Sequence, residues 1–253
     1  MRNSKEINPP PILILSPRHS PDSLLLWGAA VKRGWSVERL ASWRIPKGWN
    51  HAKETTLYGE PLFCETVAEQ LGRALVVPPL DWLALAPGHL VRREVRFATL
   101  GEARNLSQPR FLKPADACKL FAAGVYASGD ALPGEDILPA ETPVLIAEPV
   151  RWEAEYRFFV CESGILTGSL YAREGDLANF AAPQDPEEKA QAENFARRVL
   201  RETEEALPPS VALDVGIIAE RGWAVVELNP TYSSGLYGAN PEMALDAIAR
   251  ACV

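Results

Sequence analysis

Val211-Ala212-Leu213-Asp214-Val215-Gly216, followed after the turn Glu220-Arg221-Gly222 by Trp223-Ala224-Val225-Val226-Glu227-Leu228-Asn229-Pro230, is the stretch that decides how this chain is read. Two apolar runs joined by a short glycine-containing turn predict an antiparallel hairpin over residues 211–219 and 223–228. Side chains alternate along a strand, so Glu227 and Asn229 point the same way while Val226 and Leu228 point to the core. On the other arm Asp214 interrupts an apolar run, where an unpaired carboxylate is expensive. A hard divalent cation would account for all three oxygen donors, because magnesium takes one or two protein carboxylates together with waters and substrate phosphates. The plainer alternative is that Asp214 is salt-bridged and Glu227-Leu228-Asn229-Pro230 only ends a strand.

Outward from this hairpin, the chain from about residue 97 reads as strands in antiparallel order. Phe111-Leu112-Lys113 is a short strand ending at Pro114, with a loop of small residues, Ala122-Ala123-Gly124 through Ser128-Gly129, soon after. Residues 144–146 lead into the connector Ala147-Glu148-Pro149-Val150, where the proline disfavours further regular structure. Residues 156–160 and 165–171 flank Glu162-Ser163-Gly164, a hairpin signal. Asp185-Pro186-Glu187-Glu188 starts a long helix with a capping acid and proline at its first position; Phe195, Val199 and Leu200 form its apolar stripe and Pro208 ends it.

The first hundred residues carry a different pattern. Ile12-Leu13-Ile14-Leu15 reads as a buried strand, Ser20-Pro21-Asp22 starts a helix that Gly34 stops, residues 35–40 are a second strand, and a helix over 62–71 feeds Ala74-Leu75-Val76-Val77 before Pro78-Pro79. This β-α-β-α-β order predicts a Rossmann-like unit over residues 1–96, with residues 97–253 forming a second domain. Ser16, Arg18 and His19 would stand at the carboxyl end of the first strand, where such units bind ligands. No GxGxxG follows that strand, so a dinucleotide fingerprint is absent.

Composition sets the outer bounds. The 253 residues are 47% hydrophobic and 23% charged, as expected of an ordinary soluble globular chain. The net charge of -7 argues against nucleic acid as a partner. It is unevenly divided: residues 1–97 hold 13 basic and 9 acidic groups, residues 98–253 hold 13 and 24. The basic excess of the first unit suits an anionic substrate. Residues 1–11 contain no signal-like apolar run and nothing approaches the length of a membrane span, so a cytoplasmic protein without membrane association is expected. Cys64, Cys118, Cys161 and Cys252 have no metal-binding spacing and read as free thiols.

Glu227-Leu228-Asn229-Pro230, with Leu213-Asp214-Val215-Gly216 one hairpin arm earlier, resembles the metal-binding end of the ATP-grasp fold. Phe111-Leu112-Lys113-Pro114, then Ala147-Glu148-Pro149-Val150, then Glu155-Tyr156-Arg157-Phe158-Phe159-Val160 follow that family's order. The last of these, together with Tyr232-Ser233-Ser234-Gly235-Leu236-Tyr237-Gly238, is similar to the R2K clade of ATP-grasp proteins. The resemblance covers about residues 75–250 and implies an α/β and α+β architecture, an ATP-grasp fold with an N-terminal Rossmann-like pre-ATP-grasp domain.

ATP and Mg2+ are the cofactors the resemblance implies, with Asp214, Glu227 and Asn229 as metal ligands. Lys113 would contact the α- or β-phosphate, with Lys119 a second candidate. Glu148, Pro149 and Val150 would read the adenine edge, and Glu155 or Glu148 would hold ribose hydroxyls or a basic neighbour. Arg157, in an apolar setting, wants an anion that matches its planar fork, either a phosphate or an internal carboxylate of Glu153 or Glu155. Arg157 and Lys113 would neutralise the charge that moves during catalysis. Ser233 and Ser234 would hold a substrate carboxylate, unless they only form a turn, and the loop at Arg173 would help set specificity. One departure stands out: no lysine lies between Lys53 and Lys113, which leaves Arg92, Arg93 or Arg96 to replace the family's earlier nucleotide-binding lysine.

The expected reaction is ATP-dependent ligation of a carboxylate to an amine through an acyl phosphate, with small-molecule or peptide substrates. A nucleotide-binding module without turnover and a phosphotransferase are the alternatives. A homodimer is the commonest assembly for such a chain.

Overall fold

The computed structural model describes residues 10–49, 54–180 and 184–253. The N-terminal expectation for residues 1–9, and Lys53, lie outside them. The apolar run of strand β1 (Ile12–Leu15) is buried throughout. It leads into helix α1 (Pro21–Lys32), where the Ser20 hydroxyl accepts from the Ser23 amide at 3.1 Å and Pro21 occupies the first turn. Strands β2 (Ser36–Arg39) and β3 (Thr55–Tyr58) flank β1 on either side in parallel, giving the order β2-β1-β3, and helix α2 (Pro61–Leu71) follows.

The third strand is not where the apolar pattern put it. Ala74–Val77 forms no strand of this sheet; Leu75 makes a single bridge to Cys252, and the Ala74 and Val76 amides donate to the Val253 and Ala251 carbonyls at 2.7 and 2.9 Å. Pro78 and Pro79 remove the donors that a longer pairing would need. The sheet uses Thr55-Thr56-Leu57-Tyr58 instead, all four buried, where two threonines hide a strand from a hydrophobicity pattern.

Two short helical turns, α3 (Trp82–Leu85) and α4 (Gly88–Val91), carry the chain to β4 (Val95–Thr99). The expected division after residue 96 falls inside this strand. After α5 (Leu100–Ala103) come β5 (Arg110–Pro114), β6 (Gly124–Tyr126) and β7 (Pro143–Ala147), which with β4 make an antiparallel sheet of order β4-β7-β5-β6.

The larger sheet is also antiparallel. Strands β8 (Trp152–Cys161), β9 (Gly164–Arg173) and β10 (Asp176–Leu177) precede helix α6 (Pro186–Glu202); β11 (Ser210–Ile218) and β12 (Gly222–Asn229) follow, in the order β10-β9-β8-β11-β12. Helix α6 buries Ala192, Phe195, Ala196, Val199 and Leu200 against one face of this sheet. The Asp185 carboxylate caps it, accepting from the Glu187 amide at 2.9 Å.

Helix α7 (Pro241–Ala249) joins the ends of the chain. Its Ala244, Leu245 and Ile248 share one core with Leu13, Leu15 and Leu26 of the N-terminal sheet and with Phe159 of β8. The N-terminal sheet therefore completes its hydrophobic core with C-terminal residues. No helix among the described residues is long and apolar enough to cross a membrane, and all four cysteines are free.

Candidate functional site

Register across three neighbouring strands builds the centre of the site. Asp214 on β11 stands opposite Arg157 on β8 and opposite Glu227 on β12. The Arg157 guanidinium donates through Nε to Asp214 Oδ1 at 2.8 Å and through Nη2 to Oδ2 at 2.6 Å, a bidentate fork on a fully buried carboxylate. Asn229, two residues beyond Glu227 and on the same face, donates its Nδ2 to Glu227 Oε1 at 2.7 Å and to Asp214 Oδ2 at 3.3 Å. From the smaller sheet, the Lys113 ammonium at the end of β5 pairs with Glu227 Oε2. Five side chains from two sheets thus form one network.

Two bulges aim the side chains around this row. Between Asp214 and Val215 the register with β12 shifts by one residue, leaving Val226 extra; it lines the cleft rather than the core expected from strict alternation. Between Glu155 and Tyr156 the register with β9 shifts likewise, and Tyr171 is the extra residue. The Arg157 guanidinium packs against a stacked pair of rings, Tyr171 and Tyr237, 5.4 and 5.1 Å from their centroids, which are themselves 5.3 Å apart. Gly235 allows this arrangement, since a Cβ there would sit 2.9 Å from the Tyr237 ring.

The charges respond to these surroundings. Burial opposes the Arg157 cation, but Asp214 outweighs it and holds the guanidinium charged. Burial also raises the Asp214 carboxyl, to about 6, against the pull of Arg157. Glu227 feels a comparable desolvation, yet the Lys113 ammonium and the Asn229 amide draw its pKa down to about 2. Desolvation lifts Glu155, which the Tyr171 hydroxyl only partly offsets by donating to it at 2.6 Å.

Lys113, Arg157, Glu227 and Asn229 of this network line a cleft of about 1450 Å³ between the two sheets, with Asp214 buried behind them; the cleft extends to Ser16, Arg18 and Tyr58 at the carboxyl ends of the N-terminal strands. A family model described as ATP-grasp domain, R2K clade family 2, matches residues 90–247. The chain belongs to this family. Among curated proteins no sequence matches it. Three solved structures share the fold. A RimK-domain ATP-grasp protein from Sphaerobacter thermophilus DSM 20745 aligns at 17% identity and TM-score 0.54, over 93% of this chain and 98% of that one. The D-cycloserine synthetase DcsG aligns at 16% and 0.55, over 94% and 98%. N5-carboxyaminoimidazole synthase from Aspergillus clavatus aligns at 13% and 0.55, over 96% and 77%.

Within this R2K-clade protein the sequence-derived site residues divide into those brought together and those not. Lys113, Lys119, Val150, Glu155, Arg157, Ser233 and Ser234 all line the cleft, as do Glu227 and Asn229. Arg157 finds its carboxylate in Asp214, not in Glu153 or Glu155, because register places Asp214 directly across from it, while Glu155 accepts from the Tyr171 hydroxyl and Glu153 pairs with Arg151. Glu148 reaches the cleft, but its carboxylate is held by Arg221 of the β11–β12 turn at 2.6 and 3.0 Å, and Pro149 is not on the cleft wall. Arg173 stands apart: at the outer end of β9 it pairs with Glu188 of α6 at 2.7 Å, away from the cleft, so the loop it marks is a surface contact. Ser234 donates its hydroxyl to the Pro230 carbonyl at 2.8 Å, which makes it a turn residue, whereas the Ser233 hydroxyl makes no hydrogen bond among the described residues. His19 is exposed and off the cleft wall.

Of Arg92, Arg93 and Arg96, only Arg93 lines the cleft. It donates to the Val225 and Val226 carbonyls at 2.6 and 3.0 Å and stacks over Trp152 at 5.0 Å, while burial lowers its pKa to about 10. Arg92 is held by the Arg221 carbonyl and Arg96 by Glu102. Sequence reading missed Tyr171 and Trp152, the aromatic supports of the two buried guanidinium groups, since nothing in a strand pattern marks which ring lies beneath which cation.

Glu227 and Asn229 bring oxygen donors suited to a hard cation to the cleft wall, whereas Asp214 is fully buried, with both of its oxygens taken by the Arg157 fork. Asn229 turns its nitrogen to the acids, leaving its oxygen directed away from them. No group of three or more His, Cys, Asp and Glu side chains arranged to hold a metal occurs among the described residues.

Proposed function

We propose that this protein is an ATP- and magnesium-dependent ligase that joins a carboxylate to an amine. The carrying observation is the five-residue network of Lys113, Arg157, Asp214, Glu227 and Asn229 at the base of a cleft that reaches from between the antiparallel sheets to the carboxyl ends of the N-terminal strands. In this reading ATP lies between the two antiparallel sheets, with its phosphates toward Lys113 and Arg93 and its ribose near Glu155. Glu227 and Asn229 would hold magnesium, with the Arg157-bound Asp214 fixing their positions from beneath; the ion, when bound, would neutralise phosphate charge and orient the transferring group.

The substrate carboxylate oxygen attacks the γ-phosphorus, the β–γ bridging P–O bond breaks, and ADP departs. The amine nitrogen then attacks the acyl carbon, the C–O bond to phosphate breaks, and the ammonium proton passes to solvent. No protein nucleophile is required. Lys113 and Arg157 lower the barrier by being in place before charge moves, since preformed cations need no reorganisation. Ser233 and the N-terminal strand ends at Ser16 and Arg18 supply donors for the carboxylate, in a Rossmann-like unit acting as the pre-ATP-grasp domain. Lys119, exposed on the loop after β5 and lining the cleft, would cover the phosphates.

Release of ADP and phosphate, measured with magnesium and mixed pools of carboxylates and amines, tests the reading. Stimulation requiring both a carboxylate and an amine is expected, and loss of it in Glu227→Ala and Asn229→Ala with the fold retained. Turnover indifferent to every carboxylate and amine would overturn ligation.

A further inference from the structure

A second, smaller cavity of about 220 Å³ adjoins the main cleft, and Lys113, Glu227 and Asn229 line both. Its outer wall is apolar, built from Val77, Leu80 and Trp82. Its polar wall is acidic: Glu65 of α2, Asp116 of the loop after β5, and Tyr232.

Three features of this wall are unsatisfied in the protein alone. Tyr232 is 1% exposed, yet its hydroxyl has no hydrogen-bond partner, which a buried donor tolerates poorly. Burial and the nearby Glu65 keep that hydroxyl protonated, so it carries both a donor and an acceptor. Among the described residues Glu65 has neither an ion pair nor a hydrogen bond. Asp116 accepts only from the Cys118 amide of its own loop, at 3.0 Å, and meets no cation. The two carboxylates are close enough for the charge of Asp116, added to desolvation, to raise the pKa of Glu65. The neighbouring ammonium of Lys113 is already committed to Glu227.

We propose that this cavity is the subsite for the amine substrate, taking a primary ammonium between Glu65 and Asp116 with Tyr232 as third partner, and its apolar body against Leu80 and Trp82. The inference rests on the ligase reading and deepens it by naming the amine's chemistry: small, cationic, with an apolar side. A paired carboxylate wall rejects anionic substrates by repulsion, so each substrate has one compartment it can enter. The amine then approaches the reacting end of ATP past Lys113 and Glu227, from the side opposite the carboxylate.

Phenethylamine and its uncharged analogue 2-phenylethanol, each titrated into the full-length protein and followed by NMR, test this directly. The wild type should prefer the amine by about tenfold or more, equivalent to one good charge-assisted contact. In Glu65→Gln combined with Asp116→Asn that preference should vanish while ATP binding by calorimetry is retained. Tyr232→Phe, which keeps the packing and removes only the unpaired hydroxyl, should weaken amine binding severalfold without lowering the melting temperature. Equal binding of amine and alcohol by the wild type would overturn the subsite, as would a preference that survives the double substitution or Tyr232→Phe variants that bind the amine normally. Competition by magnesium alone, lost in the double substitution, would make it a metal site instead. A wild type that selects the amine yet shows no amine-dependent phosphate release would sink the ligase reading and leave the subsite standing; ligation without amine selection would do the reverse.

Discussion

Two ion pairs sit within one hydrogen-bonded network and are built for opposite purposes. Arg157–Asp214 lies wholly within the larger sheet, its side chains 8% and 0% exposed, its partners fixed opposite each other by strand register and its guanidinium held against the stacked rings of Tyr171 and Tyr237. Lys113–Glu227 crosses from one sheet to the other, its side chains 20% and 25% exposed, and one member is a flexible point charge. The first pair cannot separate without leaving a charge in a dry interior. The second can open into the cleft, where water, phosphate or a cation would replace either partner. The difference teaches that the larger sheet keeps its charges in position, while the joint between sheets is where exchange with a ligand is cheap.

Removing one partner breaks the comparison most sharply. Asp214→Ala should destabilise the protein by about 3–5 kcal/mol, because Arg157 is left buried without its carboxylate; denaturant titration measures it, and a loss below about 1 kcal/mol would mean the pair is not held as described. The joint responds to pH. Glu227 has a folded pKa depressed from 4.5 to about 2, so its stabilising contribution is present above about pH 4.5 and lost as pH falls toward 2. The contribution is on the order of 3 kcal/mol. Lys113→Ala should flatten this acid-side loss of stability and weaken ATP binding by calorimetry; an unchanged acid profile would show that Lys113 does not hold Glu227.

Smaller effects sharpen the contrast. Tyr237→Leu should cost about 1–2 kcal/mol by removing one of the two stacked rings that the guanidinium packs against, read by thermal unfolding. Arg93→Lys should weaken ATP binding by about tenfold with little change in fold, because an ammonium cannot reproduce a planar fork stacked on Trp152. Arg173→Ala, on the surface with Glu188, should change stability by less than about 0.5 kcal/mol and leave ATP binding unaltered; a large effect on nucleotide affinity would return Arg173 to the site.

Much of this was legible in the chain because alternation along a strand is a local property. Glu227 and Asn229 could be assigned to a shared face from spacing, Asp214 stood out as a carboxylate inside an apolar run, and helix α6 could be bounded from Asp185-Pro186 and its apolar stripe. Strand β3 was not legible, because Thr55 and Thr56 carry a hydroxyl that reads as polar although both are buried. The role of Ala74–Val77 was not legible either, since its partner, Cys252, lies at the other end of the chain.

The sequence by itself determined the residue types of the site, their order, and the antiparallel hairpin that carries two of the acids. Tertiary structure alone decided the partnerships: that Arg157 takes Asp214 and not Glu155, that Arg93 and not Arg92 or Arg96 faces the cleft, and that Glu65 and Tyr232 share a wall. The physical reason is that register and bulges between strands far apart in the chain fix which charges meet. In a low-dielectric interior the partner a charge meets sets its energy, and no window of sequence contains both members of the pair.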